Sequence, residues 1–265
     1  MNGVVVSELI RIGRRSIVLG WLGLTALFAV LINFVMFNVV PQDGTSMTDG
    51  PGVAFPTAAT LLSSDGIAAG LGAAASFFGV VTLAFWALAA AGDYSTGLVR
   101  ILVAAEPRRW RLILGKWLSL AAVTAAVAAA ATVINVVVAP VAAQAGGYSP
   151  DAWTDGTVGT VLAAYLHLYL SLLVWGTIGL ALATLTRSAG IAIGVGVGYV
   201  LLVEAIIAAV AGDAAEWLPG SVLTALAQGG NATMTLAVAS LIGAVYVIAA
   251  LLASFTVFGR RDITD

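Results

Sequence analysis

The sequence predicts an all-α integral membrane fold: six transmembrane helices, an N-terminal amphipathic interfacial helix and a short outer re-entrant segment between spans 5 and 6. Three observations carry this. Hydrophobic residues fill 61% of the 265 positions and charged residues only 9%, against about a quarter charged in soluble domains. Six stretches supply the roughly 20 apolar residues that cross the hydrocarbon core as a helix. The eleven Lys and Arg residues fall only in alternate connections, as the bias of basic residues toward the cytoplasmic side requires.

At the start of the chain, Val6, Leu9, Ile10 and Ile17 interleave with Glu8, Arg11, Arg14 and Arg15. This pattern predicts a helix on the inner leaflet, with its apolar side in lipid and its basic side toward headgroups. The spans lie near 17–37, 67–91, 117–138, 157–183, 191–211 and 233–258. They are continuously apolar rather than alternating, which selects helices over barrel strands. The first run is longer than the roughly 7–15 apolar residues of a secretory signal and has no small-residue cleavage site after it. It reads as a retained span.

Arg11, Arg14 and Arg15 precede span 1. Arg100, Arg108, Arg109, Arg111 and Lys116 lie between spans 2 and 3. Arg187 lies between spans 4 and 5, and Arg260 and Arg261 follow span 6. The other three connections hold acids but no Lys or Arg, so both termini are expected in the cytoplasm. The connection after span 5 is apolar from Ala215 to Gln228, too apolar for a free loop and too short to span; it predicts the re-entrant segment. The chain forms one transmembrane domain over 1–265, without internal repeats.

The connection from Gly92 to Lys116 is the most informative. Asp93, Gly97 and Arg100 are spaced by four and three, which puts them on one face of a continuous helix. Leu98, Ile101, Leu102 and Ala105 form an apolar face beside it. Pro107 disfavours helical geometry at Glu106 and marks a break before the basic turn. An acidic residue, Tyr94, Thr96-Gly97, Arg100, Leu102, then Pro107-Arg108-Arg109 and Lys116 together resemble the loop of bacterial permeases of the ABC-2 type of ABC transporter. That family usually has Glu where this chain has Asp93. The six spans, the amphipathic start, the apolar outer segment and the terminal Arg260-Arg261-Asp262 extend the likeness over nearly the whole chain.

The resemblance implies a permease subunit of an exporter in a bacterial cell (inner) membrane. It implies two copies of a separate P-loop ATPase that bind ATP and Mg and dock on this loop, through Asp93, Tyr94, Thr96, Gly97, Arg100, Pro107, Arg108 and Arg109. It also implies a second permease subunit, identical or homologous. No cofactor is expected on this chain itself, and no nucleic-acid partner. No G-x-x-x-x-G-K-[ST] phosphate loop occurs in the sequence, so ATP cannot bind by that device. The apolar, charge-poor spans suit hydrophobic or amphipathic small cargo. The plain alternative for the loop is an anchor at the headgroups.

Ionisable and amide groups inside spans are costly and mark candidate sites. Glu204 lies about 10 Å and His167 about 15 Å below the outer ends of spans 5 and 4 at 1.5 Å per residue. A protonated His167 approaching Glu204 would stabilise its carboxylate. With Asn33 and Asn135 they are the candidates for a translocation route, the alternative being local interhelical hydrogen bonds. Gly190, Gly194 and Gly198 form a small-residue stripe that predicts helix packing rather than a ligand role. Trp21, Trp110, Trp117, Trp153 and Trp217 are placed for an interfacial belt.

The absence of cysteine removes disulfides, thiolate metal sites and Cys nucleophiles. One histidine cannot supply the ligand set of an intramembrane metalloprotease. A secondary transporter or channel driven by an ion gradient remains the alternative function, and it would call for repeated halves and more intramembrane charge.

Overall fold

Lipid-like composition leaves the backbone only itself to bond with, and the chain answers with helices. The computed structural model describes residues 2–13, 16–43, 55–106, 108–154 and 157–260. The helices are α1 (Asn2–Gly13), α2 (Ser16–Val39), α3 (Ala58–Leu62), α4 (Gly66–Ala73), α5 (Ala75–Ser95), α6 (Leu98–Ala105), α7 (Arg109–Ala145) and α8 (Thr157–Thr186). After them come α9 (Ala189–Gly198), a π-helical stretch (Tyr199–Glu204), α10 (Ala205–Ala211), α11 (Pro219–Gln228) and α12 (Leu236–Arg260). Six helical segments are long and apolar enough to cross a membrane: Ile17–Val39, Ala75–Ser95, Arg109–Ala145, Thr157–Thr186, Ala189–Val210 and Leu236–Arg260. The protein is a multi-pass membrane protein.

Spans 2 and 4 form the centre, each 67% buried, whereas spans 5 and 6 lie at the periphery and are 11% buried. The central pair is fitted by glycine against tryptophan, reciprocally. A Cβ on Gly79 of α5 would stand 2.3 Å from the Trp175 ring, and one on Gly176 of α8 would stand 2.3 Å from Trp86. One turn on, a Cβ on Gly179 would meet the Leu83 carbonyl oxygen at 2.3 Å. Close backbone approach of this kind replaces the hydrophobic drive that lipid removes. Trp86 also donates from Nε1 to Thr124 Oγ1 at 2.9 Å, which fixes the ring against α7.

Several expectations are corrected. The stretch expected as one span from 67 to 91 is two helices that meet at Ala74 (φ −87°, ψ 0°), because hydropathy does not register a bend between apolar residues. The third span runs 37 residues, longer at both ends than 117–138, and tolerates Pro140 near its end. Trp21 and Trp153 are 1% and 4% exposed, so they pack inside the protein rather than in a belt. Trp153 donates to the Leu61 carbonyl at 3.1 Å, and Tyr148 donates to that of Val40 at 2.9 Å. Burial, with the Asp43 carboxylate adding to it, pushes the Tyr148 phenol above its ordinary range, which keeps that donor protonated.

Candidate functional site

Two polar constellations stand out from the apolar bundle. The first gathers where α1, α5, α6 and α7 meet. Gly97 adopts φ +69°, a conformation glycine enters at no steric cost. It therefore ends α5 and starts α6 as a separate helix. This overturns the single face expected for Asp93, Gly97 and Arg100. Asp93 belongs to the last turn of α5 and is 4% exposed, while Arg100 lies on α6 and is exposed.

Buried carboxylates require partners, and Asp93 has two. Lys116 Nζ of α7 lies 2.5 Å from Asp93 Oδ2, and Arg11 of α1 lies 3.5 Å from Oδ1. Lys116 also bonds Glu8 Oε2 at 3.2 Å and the Ala89 carbonyl at 3.3 Å. Arg11 and Glu8 are paired within α1. Two acids and two bases balance, so a charge cluster of zero net charge closes the base of the bundle. Spacing alone did not reveal it: Glu8 is the single acid of the basic start and meets a lysine 108 positions away.

Around this cluster α6 is held by Val99 and, beside it, Leu102 and Val103. Its outer side presents Arg100, Ile101, Ala104 and Ala105, with Ile101 67% exposed. Of the apolar face expected over Leu98, Ile101, Leu102 and Ala105, Leu98 and Leu102 are half-buried while Ile101 and Ala105 form its exposed edge. Tyr94 lines the small cleft next to Asp93. The Thr96 hydroxyl folds back to the Gly92 carbonyl at 2.8 Å. Arg108 is exposed, and Glu106 pairs with Arg111 at 3.4 Å. Arg109 donates to the carbonyls of Phe258 and Gly259 at 3.2 and 3.4 Å, where a cation complements the end of the α12 dipole. Pro107 lies outside the described residues.

The second constellation surrounds α11. Glu204, 9% exposed, accepts a hydrogen bond from the Gly220 N–H at 2.8 Å. It caps α11, whose own N-cap residue, Leu218, has no side-chain acceptor, by accepting from one of the N–H groups that a helix start leaves without a partner. The π stretch explains how Glu204 reaches inward. The inward positions Ala192, Gly196, Val200 and Glu204 repeat every four residues, and an α-helix drifts by about 40° per such step. A wider π turn over Tyr199–Glu204 takes up that drift. At the other end of α11, Gly229 turns at φ +79° against the His167 ring, where a Cβ would stand 2.8 Å from Nδ1. Glu204 and His167 thus sit at opposite ends of one helix and do not pair with each other, contrary to the expected approach.

The asparagines take the local reading. Asn33 donates to Asn135 Oδ1 at 2.9 Å and to the Ala29 carbonyl at 2.7 Å, and Asn135 donates to the Ile67 carbonyl at 2.7 Å. Both are fully buried between α2, α4 and α7. Asn33→Leu is expected to destabilise the chain by about 1 kcal/mol, the usual worth of an interhelical hydrogen bond in a membrane. Unfolding in mixed micelles measures this.

The Gly190, Gly194 and Gly198 stripe packs on nothing among the described residues: a Cβ on Gly194 or Gly198 would meet none of their atoms within 4 Å, and one on Gly190 only Ser188 at 4.0 Å. Glycines that do pack helices include Gly79, Gly176 and Gly179 between α5 and α8, and Gly70 of α4 against Asn33 and Asn135. For Gly79, Gly176 and Gly179 the signal was a tryptophan beside them or one or two helical turns away. Among the described residues no group of three His, Asp or Glu side chains is gathered for a metal ion.

Residues 26–264 match a protein-family model described as Protein of unknown function (DUF2705). No curated protein matches. That match covers most of the chain, so the chain belongs to the DUF2705 family.

Proposed function

We propose that this DUF2705 member is the membrane-spanning subunit of an ABC-2 type transporter, driven by a separate P-loop ATPase that docks on α6. The observation that carries the reading is α6 itself. It is a separate short helix at the end of the bundle where the described Lys and Arg residues collect. Its inner side is packed, and its outer side presents Arg100 and an unburied Ile101. An exposed arginine beside an apolar side chain on a separate helix offers a protein partner both charge and apolar contact.

In this reading the basic end is cytoplasmic, in a bacterial cell membrane. Helix α1 lies on the inner leaflet, with Val6, Leu9 and Ile10 exposed toward lipid. Helix α11 re-enters from the outside, and Glu204 and His167 secure its two ends. A second permease copy or homologue, with two ATPase subunits carrying ATP and Mg, completes the machine. Closure of the motor pushes α6, and spans 2 and 3 rooted beside it transmit the push to the bundle. The cargo is hydrophobic or amphipathic and small, and its direction is outward. The site residues of the motor contact are Arg100 and Ile101, with Thr96, Gly97 and Arg108 at the margin; Asp93 and Arg109 serve the permease internally.

The experiment is purification of the full chain with the P-loop ATPase it retains. Exchanging Ile101→Asp together with Arg100→Glu is expected to weaken docking by about 2 kcal/mol or more, the effect of removing a central anchor, with the permease still folded. Retention of full ATPase binding by that variant would remove α6 as the docking element. An ion-gradient response with no ATPase bound would favour the secondary transporter or channel.

A further inference from the structure

The carboxylate that stands in the docking motif is not on the docking surface, and that calls for a role. Asp93 and Glu8 are 4% and 3% exposed, and Lys116 is 8% exposed. A buried ion cluster is no more stabilising than apolar residues of equal volume, but removal of one member leaves a charge without compensation. Such a cluster therefore specifies an arrangement more than it adds stability. Its three strands of connection are specific. Glu8 and Arg11 come from α1, Asp93 from the last turn of α5 just before α6, and Lys116 from the second turn of α7. Ser119 Oγ also donates to the Val5 carbonyl of helix α1 at 3.2 Å, and Ile12 makes an inward apolar contact. Val6 and Ile10 are more than half exposed, so lipid-facing contacts do not fix its position on the bundle.

We infer that Glu8, Arg11, Asp93 and Lys116 form an ionic joint that makes α1 and the α5–α6 turn move as one body, with Lys116 as the central positioning residue. Lys116 touches both acids, and Arg11 touches both as well, so the joint is closed in both directions. What would drive that body, an ATPase on α6, rests on the proposed function; the joint itself does not.

The chain contains no cysteine, so pairs of nitroxide labels report without background. One pair joins Ile10→Cys on α1 to Ala104→Cys on α6, in the full chain in lipid nanodiscs. A control pair, Val137→Cys on α7 with Val158→Cys on α8, reports the bundle. Lys116→Met is expected to raise the population with α1 detached by about a hundredfold, seen as a long-distance component in the first pair and no change in the control. Lys116→Arg, which keeps the cation between Glu8 and Asp93, is expected to restore the single short distance. A second arm traps the ATPase complex with ATP and vanadate: the α1–α6 distance stays fixed in the unmodified chain. An unchanged α1–α6 distance in Lys116→Met overturns the joint, and so does an α1–α6 distance that changes on trapping. If no ATPase binds, the proposed function falls while the first arm still decides the joint.

Discussion

Gly179→Ala is expected to pull spans 2 and 4 apart and to be among the most destabilising single methyl additions in the chain. The added Cβ would stand 2.3 Å from the Leu83 carbonyl oxygen and 3.0 Å from its carbonyl carbon and Cα. These are backbone atoms in the middle of α5, which cannot rotate aside. Gly176 and Gly79 lock the same interface through rings that are 0% and 2% exposed, so no neighbouring space absorbs a shift. Overpacking of a close-packed core costs about 1–3 kcal/mol, and a clash with backbone belongs at the upper end. The contrast is Gly194→Ala, which meets nothing within 4 Å among the described residues and is expected to leave the fold unchanged. Denaturant titration of both variants in the same micelles measures the difference. An effect of Gly194→Ala on association of two copies, with stability intact, would place the stripe between subunits.

Gly220→Ala is expected to free α11. Its Cβ would stand 2.0 Å from Glu204 Oε2, so the carboxylate must leave the N–H it accepts from. A hydrogen bond contributes about 0.5–1.5 kcal/mol net, and an acceptor left buried without its donor adds a desolvation penalty of about 1–3 kcal/mol. The result is a helix whose N-terminus has lost its capping acceptor. Val222, two residues on, is 0% exposed, so Val222→Cys in the otherwise cysteine-free chain gives a direct reading. Maleimide labelling of that cysteine should be slow in the parent and fast when Gly220→Ala is added. Glu204→Leu should act in the same direction, while Glu204→Gln, which keeps an acceptor oxygen, should stay close to the parent.

The spans were legible because hydropathy is a property of composition within a window, and lipid imposes it over some 20 residues. Alternation of the charges was legible for the same reason. What the sequence did not disclose is geometry that leaves hydropathy unchanged. The bend at Ala74 and the π turn at Tyr199–Glu204 join apolar residues to apolar residues. Continuing one helical phase through Gly97 put Asp93 beside Arg100, whereas a single left-handed residue turned them to opposite duties. Glu8 and Lys116 carry no short-range pattern that announces their contact. The glycine stripe on span 5 was conspicuous by its period, yet Gly79 and Gly176, less regular, hold the bundle, because a tryptophan opposite matters more than a repeat.

The proposed docking face was therefore only half legible. Arg100 was placed on it from the motif, while Ile101 emerged from the phase of α6, and Asp93 moved from the surface to the joint behind it. The measurement that bears most directly on a motor-driven permease is photo-crosslinking from position 101 in intact membranes. A photoreactive amino acid at Ile101 on α6 is compared with one at Val210, 83% exposed at the far end of span 5. An adduct with a P-loop ATPase is expected from position 101 and none from position 210. ATPase adducts from 210 and not from 101, or none from either while the chain is folded, would contradict it.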